Sequence, residues 1–212
     1  MAWSPRCFAN IYLHYALDLW FEEIVKAHCR GAAYLCRYAD DFVCAFQYET
    51  DAERFYQVLG RRLEKYGLEV AEEKTNLLRF SPLTCKQSGT FEFLGFAFRW
   101  GLSPRRKPLL KRRTSRKKYR ASLANFREWC QAHCRLPKRE LFRRLNAKLR
   151  GYYAYYGIRG NYTSLADFLY QAQRILFKEM NRRSQRRSYT WQGFAELLTA
   201  FRLAQPRICH AL

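Results

Sequence analysis

Acidic residues become scarce in this chain after Phe80. Residues 81–212 hold 6 Asp/Glu against 29 Lys/Arg, whereas residues 1–80 hold 12 against 10. The net charge of +21 is therefore split as −2 in the first stretch and +23 in the second. A merely solvated surface mixes the signs throughout, and a segment this one-sided repels itself unless a polyanion lies against it. Nucleic acid is the expected polyanion, with an anionic membrane surface as the alternative. Long apolar runs are also missing: none reaches the roughly 18 residues that a membrane helix needs. Residues 1–10 show no apolar segment behind a basic one, so no secretory leader is expected. These absences lead to the expectation of a soluble protein, cytoplasmic or organellar, outside the membrane. No Cys-x-x-Cys pair occurs among Cys7, Cys29, Cys36, Cys44, Cys85, Cys130, Cys134 and Cys209. Irregular spacing inside apolar runs makes these cysteines small buried hydrophobes in a reducing compartment. Cys130, His133 and Cys134 alone have metal-like spacing, and a zinc site wants a further ligand that the sequence does not offer.

The 49% hydrophobic and 17% aromatic content is enough for a real core and excludes a disordered polycation. A length of 212 residues suits one or two domains. Apolar periodicity predicts a helix over Ala9 to Lys26, with Asp18, Glu22 and Glu23 on its polar side. Two β-prone runs, Tyr34 to Arg37 and Phe42 to Phe46, flank Tyr38-Ala39-Asp40-Asp41 and predict a hairpin. A helix follows over Glu49 to Tyr66, with Thr50 as its N-cap and Gly67 as its stop. Leu68 to Val70 and Asn76 to Phe80 have the pattern of short strands, Ser81 to Thr90 of a loop, Phe91 to Trp100 of one strand and Gly101 to Pro108 of a basic turn. Helical spacing then predicts Ser115–Cys134, Pro137–Tyr156, Thr163–Arg183 and Tyr189–Phe201. The fold class is α+β, with domains at 1–104 (hairpin strands with helices) and 105–212 (an all-α basic bundle).

Asp40-Asp41 is the sharpest chemical feature. Adjacent carboxylates repel, and a hairpin turn that carries two of them suits a divalent cation; nucleotidyl transfer uses two such ions roughly 3.5–4 Å apart. An Asp-rich turn without a ligand is the competing reading, because Asp favours turns. The cations form the second feature. Residues 105–120 hold ten Lys/Arg and no acid, among them Arg105, Arg106, Lys107, Lys111, Arg112, Arg113, Arg116, Lys117 and Lys118. Residues 135–150 hold seven, including Arg143, Arg144, Lys148 and Arg150, against the single acid Glu140. Tyr119, Phe126, Leu141, Phe142 and Leu145 interleave at helical spacing, which gives each helix an apolar face for docking and a cationic face for phosphates. The tyrosines between Gly151 and Gly157 suit either base stacking or a core.

Arg37-Tyr38-Ala39-Asp40-Asp41-Phe42 resembles the catalytic hairpin of the group II intron reverse transcriptase/maturase family. Ala9-Asn10-Ile11-Tyr12-Leu13-His14 resembles the helix after that family's PQG motif. Gly67-Leu68-Glu69 with Glu73-Lys74-Thr75, and Phe91-Glu92-Phe93-Leu94-Gly95-Phe96, resemble its later palm blocks. Leu145 to Tyr153 with Tyr155-Tyr156-Gly157, and Asn181 to Arg187 followed by Trp191, resemble its thumb, or maturase-specific, domain. The blocks follow the family's order and cover residues 9–210. The resemblance implies a partial polymerase palm followed by a helical thumb, an RNA-directed DNA polymerase ancestry and Mg²⁺ as cofactor. It implies Asp40 as metal ligand, Asp41 as its support, and Tyr38 and Ala39 beside the primer end. Lys74 would approach the nucleotide phosphates, although an exposed lysine after two glutamates has no need of that role. Phe93, Leu94 and Gly95 would form the primer grip. The implied partners are intron RNA and a template–primer. The family's fingers and first palm half, with its other metal-binding aspartate, precede these blocks, and nothing upstream of Ala9 matches them. Trp3-Ser4-Pro5 resembles the family's Ile-Ser-Pro, with Arg6-Cys7-Phe8 one residue too long. The expectation is therefore a fragment inactive alone, with a divergent or shifted start or with a separate chain supplying the missing half as alternatives, or else a non-catalytic RNA-binding splicing module or a degenerate mobile-element remnant.

Overall fold

The computed structural model describes residues 5–83, 88–182 and 189–210. Cys85 and most of the Asn181–Arg187 motif segment therefore lie outside the described residues. The chain divides into two compact units, Met1–Leu94 with Trp100–Pro108, and Gly95–Arg99 with Leu109–Leu212. Both antiparallel strands and helices are present, so the fold is mixed α+β.

The first unit opens with α1 (Pro5–Leu13), continues through two π-helical turns (His14–Asp18 and Phe21–Val25) and ends in α2 (Lys26–His28). Apolar spacing alone predicts an ordinary α-helix here. Its buried residues explain the wider turns. Leu17, Phe21 and Val25 sit in the core at steps of four. An α-helix of 3.6 residues per turn rotates such a series by about 40° per step, and π turns reduce that drift. β1 (Ala33–Tyr38) and β2 (Asp41–Phe46) form the predicted hairpin, with Ala33 opposite Phe46 and Tyr38 opposite Asp41. Leu35, Phe42, Cys44 and Phe46 pack on the core formed by Leu17, Phe21, Phe55, Leu59 and Leu63. This sheet has two strands. Along α1 and into the first π turn, Phe8, Ile11, Tyr12 and Tyr15 are all exposed.

α3 (Glu49–Glu64) is capped at Tyr48 without a side-chain hydrogen bond, so Thr50 is not its N-cap. The buried Asp51 takes the polar role instead: its carboxylate accepts the Arg30 backbone N–H at 2.9 Å and pairs with Arg54 at 2.7 Å. Gly67 does end the helical run, at φ +64°. The strands expected at 68–70 and 76–80 are not formed; a 3-10 turn, Glu72–Lys74, lies between two irregular stretches. The single strand expected over Phe91 to Trp100 is two, β3 (Thr90–Phe93) and β4 (Phe96–Leu102), separated at Leu94-Gly95. Both separating residues have left-handed φ, 50° and 78°, the pattern of a two-residue I′ hairpin turn. The basic link continues into a third strand, β5 (Pro108–Thr114), in a sheet ordered β3-β4-β5.

The second unit carries α4 (Arg116–His133), α5 (Lys138–Tyr156), α6 (Tyr162–Asn181) and α7 (Trp191–Ala200), close to the predicted spans. Ser115 caps α4 by accepting the Lys118 N–H. Pro137 occupies the N-cap of α5, one position before the first-turn place expected for it. The core gathers Phe126, Cys130, Phe142, Leu145, Leu149, Tyr153, Leu165, Phe168, Leu176 and Phe194. Asn161, fully buried, joins the α5–α6 connection to the end of β5: its Oδ1 accepts the Thr114 N–H at 3.0 Å, and its Nδ2 donates to Thr114 Oγ1 and to the Tyr156 carbonyl. The cysteines depart from the uniform burial expected of them. Cys130 is buried, but Cys7, Cys36 and Cys209 are exposed. Burial pushes the Cys44 thiol up to about 12. His133 stacks on Trp129 and bonds its carbonyl oxygen, so the Cys130-His133-Cys134 cluster is spent on packing.

Candidate functional site

The hairpin closes through a two-residue turn, Ala39-Asp40, between Tyr38 and its ladder partner Asp41. A turn this short throws both carboxylates to the tip, and both aspartates are exposed. Ala39 takes φ +54°, a left-handed value that glycine adopts freely and alanine does not. Tyr38 beside it is 67% exposed, as an outward position of β1 should be.

Arg37 holds this turn. Its Nε and Nη2 meet the two Asp18 oxygens at 2.7 and 2.6 Å in a fork-to-fork ion pair. Its Nη1 donates to the Ala39 carbonyl at 2.8 Å and to Asn10 Oδ1 at 3.1 Å. One guanidinium thus ties the strained turn residue to α1 and to the π turn that carries Asp18. The Arg37 hydrogen bond is the main reason that the Asp18 carboxyl sits below the usual carboxylate range; partial burial opposes it, and His14 at 3.4 Å adds a little. Sequence reading put Asp18 on the helix's polar side and gave Arg37 no role. The available signal was the placement itself, an arginine inside an apolar strand two residues before a tight turn.

The remaining predicted residues are spread along the chain. Lys74 is exposed at the end of the 3-10 turn, its backbone N–H bonded to Ala71. No ion pair joins it to Asp40 or Asp41 among the described residues. Phe93 ends β3, and Leu94-Gly95 make the I′ turn. The Gly95 carbonyl accepts the Ser115 N–H, and a Cβ on Gly95 would lie 3.3 Å from Tyr156 Oη and 3.4 Å from Lys118 Cγ. Arg105, Arg106 and Lys107 are exposed on the β4–β5 turn, where Ser103 N donates to Lys107 O at 2.8 Å. Lys111 and Arg112 are half-buried on β5, and Arg113 is exposed. Arg116, Lys117 and Lys118 are exposed in the first turn of α4. Arg143, Arg144, Lys148 and Arg150 are exposed on α5. Two of these are already engaged: Glu140 accepts Arg143 Nε and Nη2 at 2.7 Å each and Arg144 Nε at 2.6 Å. Those bonds pull the Glu140 carboxyl down to about 2. Lys148 lies 5.9 Å from the Trp129 ring centre. Of the tyrosines in doubt, Tyr153 and Tyr156 are core and Tyr155 is 55% exposed against Phe96.

Chemically, the hairpin tip offers two neighbouring carboxylates to a divalent cation. Among the described residues no group of three or more His, Cys, Asp and Glu converges, and Asp18 is committed to Arg37. The donor set therefore fits half of a two-metal centre rather than the whole. No helix among the described residues is long and apolar enough to cross a membrane. No curated protein matches the chain. Residues 1–98, the stretch that holds the Asp40–Asp41 hairpin and its Arg37 latch, match the family model of the reverse transcriptases (RNA-dependent DNA polymerases).

Proposed function

We propose that these 212 residues are a group II intron-type reverse transcriptase/maturase part that binds structured RNA or a template–primer and does not extend a primer by itself. The observation that carries this reading is the reverse transcriptase match over residues 1–98, centred on a hairpin whose tip presents Asp40 and Asp41, in a chain whose remaining length is strongly cationic. The exposed cations of the β4–β5 turn, α4 and α5 bind phosphates. Mg²⁺, held in part by Asp40 and Asp41, would neutralise the phosphate charge of an incoming nucleotide. The carboxylates of the described residues do not complete that site, so primer extension needs a further carboxylate from outside them. In that reading the polymerase chemistry needs the completed site, and RNA recognition belongs to the described residues.

The test is RNA binding and RNA-templated primer extension with Mg²⁺, using the purified chain and its Asp40→Asn variant. Saturable, salt-sensitive RNA binding without extension by either protein is the expected result. Extension by the wild type that disappears in Asp40→Asn would overturn the non-catalytic part. Absence of saturable RNA binding would overturn the rest.

A further inference from the structure

One face of α6 carries exposed aromatics and cations for which neither the hairpin nor the β5, α4 and α5 cations account. Tyr170 is 55% exposed, with the Arg174 guanidinium 5.6 Å from its ring centre. Trp191, also 55% exposed, lies flat on Phe177 of α6 at a centroid distance of 3.8 Å and an interplanar angle of 14°. Arg174 and Lys178 are exposed. At about 100° per residue, Phe177, Tyr170, Arg174 and Lys178 fall within roughly 100° of arc, so the two rings and the two cations share one face. Asp167, on the same side a turn before Tyr170, accepts the Tyr119 hydroxyl, and Glu179 is buried on the opposite side. The face therefore carries two cations against the one carboxylate of Asp167, and the surplus positive charge is left for an external anion.

The spacing gives the face its specificity. Tyr170 and Phe177 are seven residues apart, about 10.5 Å along the helix. A strand with bases stacked at roughly 3.4 Å covers that distance in about three steps. Exposed rings interleaved with cations suit unstacked bases, because every base offers a π face and every step a phosphate. A duplex has no free base faces to offer them. We infer that the α6–α7 face is a binding site for single-stranded RNA, with Tyr170 and Trp191 stacking bases while Arg174 and Lys178 hold the phosphates between them. The inference adds a site to the RNA-binding reading above but stands on separate residues.

Fluorescence anisotropy of the full chain with a labelled oligonucleotide of about eight uridines, beside an RNA duplex of about 16 base pairs, tests it. Tyr170→Ala should weaken single-strand affinity by at least about fivefold and leave duplex affinity within about twofold. Trp191→Phe keeps a ring on Phe177 and should retain single-strand binding, whereas Trp191→Ala should lose it as Tyr170→Ala does. Arg174→Gln should lower the log–log salt slope by about 0.7, and Tyr170→Ala should leave the slope unchanged. Unchanged single-strand affinity in Tyr170→Ala would overturn the inference, even if Trp191→Ala proved unfolded. So would equal loss on the duplex, or a Tyr170→Ala effect confined to an acidic peptide such as oligoglutamate. Loss of duplex and structured-RNA binding on mutating the α4 and α5 cations, with single-strand binding intact, separates the two sites.

Discussion

At the scale of single residues, the hairpin tip is held under backbone strain. A Cβ in left-handed conformation costs about 1–2 kcal/mol, and the extra freedom of glycine in the unfolded chain offsets about 0.5–1. Ala39→Gly should therefore stabilise the first unit by up to about 1.5 kcal/mol, read as a higher urea midpoint. A lower midpoint would show that the φ of +54° costs less there than the unfolded-state freedom that glycine adds. Arg37 resists relaxation of the turn by holding the Ala39 carbonyl, with Asp18 holding Arg37. Because the folded Asp18 carboxyl is depressed, its contribution to stability is present above the unfolded value, near pH 4, and is lost as pH falls through the lower folded value. Asp18→Asn should lower thermal stability at neutral pH and flatten the acid limb of the Tm–pH curve below about pH 4. An unaltered acid limb would show that the pair contributes little. Asp40 and Asp41 were legible in the sequence because the chemistry is written in adjacent letters. Arg37 and Asp18, nineteen residues apart in sequence, were not, since only the folded helix-on-hairpin geometry joins them.

At the scale of elements, legibility followed the length and regularity of the pattern. The four helices of the second unit came through because each repeats its apolar stripe over several turns. β5 did not, because Lys111, Arg112 and Arg113 hide a strand inside a run of cations. Leu68 to Val70 and Asn76 to Phe80 read as strands on composition alone, and strand pairing needs a neighbour that composition cannot supply. The same contrast separates two glycines of the α5 region. Gly151 lies mid-helix, and a Cβ added to it would meet nothing within 4 Å, so Gly151→Ala should stabilise by about 0.5–1 kcal/mol. Gly157, at the end of α5, accepts the backbone N–H groups of Cys209 and His210, and a Cβ there would stand 2.2 Å from the Tyr153 carbonyl oxygen and 2.7 Å from that of Arg207. Gly157→Ala should destabilise the second unit by more than about 2 kcal/mol, measured as a shift in chemical-denaturation midpoint. A neutral result at Gly157 would mean that the returning 207–209 segment is not packed on the helix end.

At the scale of the whole molecule, the charge asymmetry is the property on which the proposed RNA binding most directly rests, and it yields a slope as well as an affinity. If about six cations reach phosphates, RNA affinity should fall with salt at a log–log slope near −4 to −5. Glu140 limits that number. It engages Arg143 and Arg144 together, and with its carboxyl held at about 2 it stays ionised in any ordinary binding buffer, so lowering the pH does not release them. A phosphate meets either arginine through its remaining N–H donors, beside a carboxylate that repels it and already holds Nε of both. Glu140→Gln removes the competitor and leaves both guanidiniums in place on a solvent-exposed turn of α5. The variant should bind RNA more tightly at low salt and show a slope steeper by about 0.7–1.4, one to two added phosphate contacts. Tighter binding with an unchanged slope would point to a general field effect of one lost negative charge. An unchanged affinity and slope would remove Arg143 and Arg144 from the interface and place the contacts on the β4–β5 turn, α4 and the rest of α5.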